Sequence, residues 1–216
     1  GGQQKAYHQI ARDLARAAPM LRLLQGDVGS GKTVVAALSA LQAIASGYQT
    51  ALMAPPEIRA DQHLLNFKNW FAPLGVKVGW LSGKSKASER SKLLDNLADG
   101  SCELLIGTHA LFQNDVIYLR LGLVIIDEQH RFGVMQRARF VEQGQASTGR
   151  VPHMFVMTAT PIPRTLALTV YGDLDVSVMD ELPPGRTPIR TRRFTEKNRS
   201  QVYGLVRQAV EAGRQA

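Results

Sequence analysis

The stretch Leu21-Arg22-Leu23-Leu24-Gln25-Gly26-Asp27-Val28-Gly29-Ser30-Gly31-Lys32-Thr33 decides the fold. A short apolar run, Leu21–Leu24, passes into a glycine-rich turn and then into a stretch of helical period reaching residue 46. Strand, tight turn and helix in that order open a parallel α/β sheet. The turn matches G-x-x-x-x-G-K-[ST] and has the flanking elements which that pattern requires. Its glycines let successive backbone N–H groups turn inward around phosphate oxygens. A helix beginning at Gly31 adds partial positive charge at the same point. Gly26, Asp27, Val28, Gly29, Ser30, Gly31, Lys32 and Thr33 are therefore the predicted nucleotide-binding residues. Lys32 is expected to reach the β- and γ-phosphates, and the Thr33 hydroxyl to ligate Mg²⁺. The loop implies a bound nucleotide without saying which reaction follows.

Working outward, apolar runs recur at Thr50–Ala54, Val76–Leu81, Glu103–Ile106, Leu121–Ile126, Met154–Met157 and Asp175–Met179. Helical patterns separate most of them, at 31–46, 57–71, 86–99, 134–143 and 163–171. Buried strands alternating with helices predict an α/β fold, a mostly parallel sheet with helices on both faces. The stretch Leu182-Pro183-Pro184-Gly185-Arg186-Thr187-Pro188 carries turn and linker residues. This divides the chain into a main domain at 1–182, a linker at 183–188 and the start of a second domain at 189–216. In that last part Ile189–Phe194 reads as a strand and Lys197–Ala212 as a helix.

A second chemical motif ends the run Leu121–Ile126: Asp127-Glu128-Gln129-His130. Carboxylates at the C-terminal end of a parallel strand stand where open α/β sheets bind ligands. Asp127 is the expected Mg²⁺ ligand and Glu128 the base or orienter for the attacking water. A helix N-cap would account for one acid but not for two. His130 either touches the nucleotide, links the two motifs or is structural. Other strand-end segments are Ala54-Pro55-Pro56-Glu57, Gly107-Thr108-His109-Ala110 and Thr158-Ala159-Thr160-Pro161. Together they would form a rim suited to a long ligand such as a nucleic acid backbone. Pro55, Thr108 and His109 are candidate DNA contacts, and Arg131 and Arg164 are candidate contacts to DNA or to the second domain. Thr158 and Thr160 either relay hydrogen bonds from the phosphate site or cap the helix that Pro163 begins. Lys84, Lys86, Arg90 and Lys92 read as a solvated face or a phosphate track.

Composition narrows the class. The chain has 216 residues, 44% of them apolar, and a formal net charge of +8. That excludes a disordered tail or a collagen-like fibre. Residues 186–216 carry +6 of the charge, leaving +2 for the first 185, so charge alone does not make the main domain a nucleic-acid binder. One cysteine, Cys102, excludes an internal disulfide, and no apolar run approaches the ~20 residues of a membrane span. The opening Gly1-Gly2-Gln3-Gln4 reads as an internal start, so the chain is expected to be a piece of a longer protein.

The ordered set GDVGSGKT, APPE, GTHAL, DEQH and TATPIPRTLAL resembles the first motor domain of superfamily 2 helicases. DEQHRFGV and TATPIPRTLAL narrow the resemblance to the RecG type and the transcription-repair coupling factor type. Asp127-Glu128-Gln129-His130, Gly107–Leu111 and Pro183–Pro188 favour the RecG type of ATP-dependent DNA helicase. The resemblance implies a RecA-like P-loop NTPase domain that uses ATP and Mg²⁺. It implies a bacterial cytoplasmic translocase remodelling branched DNA, such as stalled forks and Holliday junctions, in recombination and repair. It further implies Gln3 at the adenine edge, Lys32 and Glu128 in catalysis, and His130, Thr158 and Thr160 in coupling hydrolysis to DNA movement. The implied partners are branched and single-stranded DNA, a second helicase domain with an arginine finger, and an N-terminal DNA-binding domain, with no membrane. Pro56 departs from the family's threonine and lacks both its hydroxyl and its N–H. The competing readings are a P-loop NTPase of another class, a translocase of the coupling-factor type and a binding module that holds ATP without hydrolysing it.

Overall fold

The computed structural model describes residues 1–54, 58–127, 134–160, 172, 174–180 and 191–214. They fall into two compact units, Gly1–Pro183 and Pro184–Ala216. In the first unit the elements run α1 Gly2–Leu14, β1 Leu21–Gly26, α2 Lys32–Ala45, β2 Gln49–Met53, α3 Ile58–Phe71, β3 Val78–Leu81, α4 Ala87–Ala98, β4 Leu104–Gly107, β5 Leu121–Asp127, α5 Val134–Thr148, β6 His153–Thr158 and β7 Asp175–Met179. Each of the seven predicted apolar runs overlaps a strand. The predicted helix at 163–171 lies outside the described residues.

Among the described residues the strands form one sheet in the order β3-β4-β2-β5-β6-β1-β7. Every pairing is parallel. All seven strands therefore end at the same edge, and the loops that follow them line up along it. Both faces are covered. Leu24, Leu52, Ile106, Ile125 and Phe155 turn toward α1, α2 and α3, which contribute Ile10, Ala36, Ala40, Phe67 and Phe71. Leu23, Ala51, Leu105, Val124 and Ile126 turn the other way and meet Leu97 of α4 and Phe140 of α5. Neighbouring residues of one strand thus serve opposite layers, which is why the runs are apolar without alternation. Cys102 is buried in the second layer, and desolvation raises its thiol pKa to about 11.

α1 was not legible as a helix, because residues 1–4 read only as a chain start. Its buried positions, Ala6, Ile10 and Asp13, follow helical spacing and dock on α2. The second unit holds a short 3₁₀ turn at Glu196–Asn198 and a helix at Arg199–Glu211, within the predicted 197–212. The predicted strand at 189–194 is corrected. Residues 191–194 are not in a strand, and 189–190 lie outside the described residues. A strand needs a neighbour to take its backbone hydrogen bonds, and the described residues of this unit supply none.

Candidate nucleotide site at the carboxyl edge of the sheet

Three adjacent strands deliver the chemistry. β1 ends at Gly26, β6 at Thr158 and β5 at Asp127, with Gln25 beside Thr158 and Asp127 beside Met157 in register. From Gly26 the chain turns through Gly29 (φ +81°) and Gly31 (φ +88°) into α2. Those two left-handed positions favour glycine and fold the loop back on itself. Gly31 is the N-cap of α2, its carbonyl accepting from Val34 N–H at 3.0 Å. The Lys32 ammonium donates to the carbonyls of Gly26 and Asp27 at 2.7 and 2.8 Å, so its charge lies over the loop. Ser30 Oγ is buried and makes no hydrogen bond to the described residues, as is also true of Thr50 Oγ1, Tyr118 Oη and Gln143 Oε1. A buried hydroxyl in that condition favours an added polar group.

Gln3 reaches the loop from α1. Its Nε2 donates to Ser30 O at 3.0 Å. A methyl group at Gly31 would stand 2.0 Å from that nitrogen, so a side chain here would displace Gln3 as well as strain the backbone. The predicted adenine-reading residue is thus joined to the phosphate loop.

Opposite the loop stands Asp127. The intervening cleft, about 340 Å³, is lined by Val28, Gly29, Lys32, Thr33, Gln62, His63, Asn66, Asp127 and Ala159. Asp127 Oδ2 accepts from His63 Nε2 at 2.6 Å. A carboxylate only accepts, so the ring carries its proton on Nε2. A threonine hydroxyl and a carboxylate on one cleft are hard oxygen donors of the kind Mg²⁺ takes. The described residues contain no group of three or more His, Cys, Asp or Glu that would suggest a dedicated metal cage. The donor set fits a cation shared with phosphates.

Not every predicted residue joins this cleft. Thr158 is buried, and its hydroxyl closes a local turn with Thr160, accepting from Thr160 N–H at 3.1 Å. Thr108 and the exposed His109 follow β4, beyond β2 from Asp127 on the same edge. Pro55, Glu128, His130, Arg131 and Arg164 lie outside the described residues. Of the basic segment, Arg90 pairs with Asp115 at 2.7 Å, which fits a solvated face. Gln62, His63 and Asn66 were missed. They share one face of α3 at i, i+1 and i+4, a polar signal inside a helix otherwise read for its apolar stripe. A larger cavity of about 440 Å³ opens at the opposite edge, between Arg16, Tyr48, Arg150 and His153. It contains none of the phosphate-loop residues.

Residues 2–169 match the family of the DEAD/DEAH box helicase. The chain belongs to that family. Over its whole length it is 56% identical to the ATP-dependent DNA helicase RecG of Escherichia coli (strain K12), of which it covers 31%. With 99% of its length it is 55% identical to the enzyme of that name from Haemophilus influenzae, again covering 31%. The RecG of Aquifex aeolicus is 49% identical over 98% of the chain, and 26% of it is covered. The chain thus spans about a third or less of the curated relatives' length. Among solved structures, RecG bound to a three-way DNA junction superimposes with a TM-score of 0.74 at 44% identity, covering 98% of this chain and 28% of that one. The Pyrococcus furiosus Hef helicase domain shares the fold, with a TM-score of 0.61 at 21% identity, covering 95% and 44%. The fold is the RecA-like α/β domain of these helicases. Among the described residues no helix is long and apolar enough to cross a membrane.

Proposed function

We propose that this chain is the first motor domain of a RecG-type, ATP-dependent DNA helicase that remodels branched DNA in the bacterial cytoplasm. One observation carries the reading: Lys32, Thr33 and Asp127 surround one cleft in a chain 56% identical, end to end, to a DNA helicase RecG. In this account residues 1–182 form the motor domain, 183–188 the linker and 189–216 the opening of the second helicase domain.

The chain's own groups divide the work. Backbone N–H groups of residues 29–33 and the α2 N-terminus hold phosphate oxygens. The Lys32 ammonium leaves the loop carbonyls for the β- and γ-phosphates, exchanging two neutral acceptors for charged ones. Ser30 Oγ supplies a further polar contact, and Gln3 orients the base while bound to the loop. Thr33 and Asp127 would hold Mg²⁺, which would supply charge neutralisation for the phosphates. Glu128 orients and deprotonates the attacking water. His130, Thr158 and Thr160 couple the site to the DNA rim, where Pro55, Thr108, His109, Arg131 and Arg164 meet the backbone. Single-stranded and branched DNA, the second helicase domain and an N-terminal DNA-binding domain are the proposed partners.

The test is ATP hydrolysis with and without forked DNA, by the longer protein and by this chain alone. Forked DNA is expected to stimulate the longer protein. The isolated chain is expected to be slower by about 10³–10⁵, the usual contribution of an arginine supplied by a partner domain. Equal turnover by both would remove the second domain from the mechanism. Hydrolysis indifferent to DNA would favour a P-loop NTPase of another class.

A further inference from the structure

His63 makes a contact to which the nucleotide reading assigns no role. It comes from α3, yet its ring meets the last residue of β5, 64 positions away. The Nε2–Oδ2 distance of 2.6 Å is that of a short hydrogen bond to a carboxylate. Both side chains are largely withdrawn from water, 11% exposed for His63 and 12% for Asp127. The ring is held from behind by Phe67, one turn on in α3, at 6.3 Å between centroids. Phe67 is itself fully buried and packs edge-on against Phe71. The imidazole therefore has a fixed support, a fixed acceptor and a place on the wall of the nucleotide cleft.

We propose that His63 is the positioning residue for the metal-ligating carboxylate: by taking Asp127 Oδ2, it sets the carboxylate plane and leaves Oδ1 to ligate Mg²⁺. The inference rests on the nucleotide reading above. An aspartate's terminal torsion is broad, and without a partner the carboxylate samples many orientations. A neighbour that fixes such a ligand is typically worth 10–100-fold in metal affinity. The sequence reading of Asp127 as a ligand is thereby extended to the group that aims it.

The experiment is titration of the full 216-residue chain with a fluorescent ADP, in Mg²⁺ and in EDTA, for the native chain, His63→Leu, His63→Gln and Lys32→Ala. The native chain should bind more tightly with Mg²⁺. His63→Leu should lose 10–100-fold of that tightening and keep its affinity in EDTA. His63→Gln places an amide N–H near the original Nε2 and should recover most of the loss, which a merely space-filling role would not explain. Should His63→Leu not fold, His63→Asn replaces it: the shorter amide cannot reach Oδ2 and should behave as the leucine would. Full Mg²⁺ tightening without the ring, an equal loss in EDTA, or no rescue by glutamine overturns the proposal. Lys32→Ala separates the two readings. If it binds like the native chain, the nucleotide reading itself fails, whatever His63 does.

Discussion

At the amino edge of the sheet, Gln49 uses its whole amide: Nε2 donates to the carbonyls of Leu97 and Cys102, and Oε1 accepts from Arg120 N–H. Nearby, the buried Arg22 guanidinium donates to Asp13 from Nε and Nη2 and to Ser177 from Nη1. His153 accepts from Met20 N–H. At the carboxyl edge the arrangement differs. Two left-handed glycines bend the loop there, and a lysine rests on backbone carbonyls. Polar groups that close on one another hold the fold, whereas those that line the carboxyl-edge cleft are the ones proposed to meet a ligand. The larger of the two cavities lies at the amino edge, so volume does not carry that proposal.

That contrast is open to breakage from either side. Lys32→Ala should give the largest effect, lowering DNA-stimulated hydrolysis by the longer protein about 10²–10³-fold, as removal of one preorganised charge-stabilising donor does. Its unfolding free energy from urea titration should stay within about 0.5 kcal/mol of native. Asp13→Ala should do the reverse. It strips Arg22 of its shortest ion pair, at 2.6 Å, and leaves a buried guanidinium with Ser177 and the more distant Asp175. A cost of about 3 kcal/mol is expected in urea unfolding, with nucleotide affinity of the folded chain unchanged. Gln49→Met keeps the volume but takes the amide partner from the Cys102 carbonyl and the Arg120 N–H, while the Leu97 carbonyl keeps its bond from Gly100 N–H. It should cost about 2 kcal/mol by the same measurement.

The smallest expected effect is a pH dependence. Burial holds the His153 pKa below its usual 6.5, opposed only in part by Asp13. The ring is also an acceptor for Met20, so the fold needs it neutral. Below pH 6.5 the unfolded chain binds a proton that the folded chain resists, and stability falls as pH drops toward the folded value. Urea midpoints at pH 7 and pH 5 should show this decline, and His153→Gln should reduce it. An unchanged decline in the variant would assign the effect to other groups.

The sheet and the phosphate loop were legible because their signals are local: apolar runs of strand length, two glycines and a lysine at fixed spacing. Asp127 was legible because a carboxylate ending a run of Val and Ile has no place in a core. α1 was not, since a narrow stripe of Ala6 and Ile10 marks a helix only when α2 is there to receive it. His63 was illegible for a different reason. Its meaning lies in a contact across 64 residues, made because β2 pairs with β5 and brings α3 over the end of Asp127's strand. The strand read at 189–194 shows the converse, where β-type residues without a neighbouring strand leave 191–194 outside any strand.

The claim that chemistry is confined to the carboxyl edge is tested most directly by amide chemical shifts of the chain as Mg²⁺ and ADP are added. Shifts should concentrate at Gly26–Thr33, His63 and Asp127, with Gln3 following through its bond to Ser30. Arg22, Gln49, Tyr48 and His153 should stay near their starting positions. Shifts centred on Arg16, Tyr48, Arg150 and His153, with the phosphate loop unmoved, would contradict the account and move the nucleotide to the opposite edge.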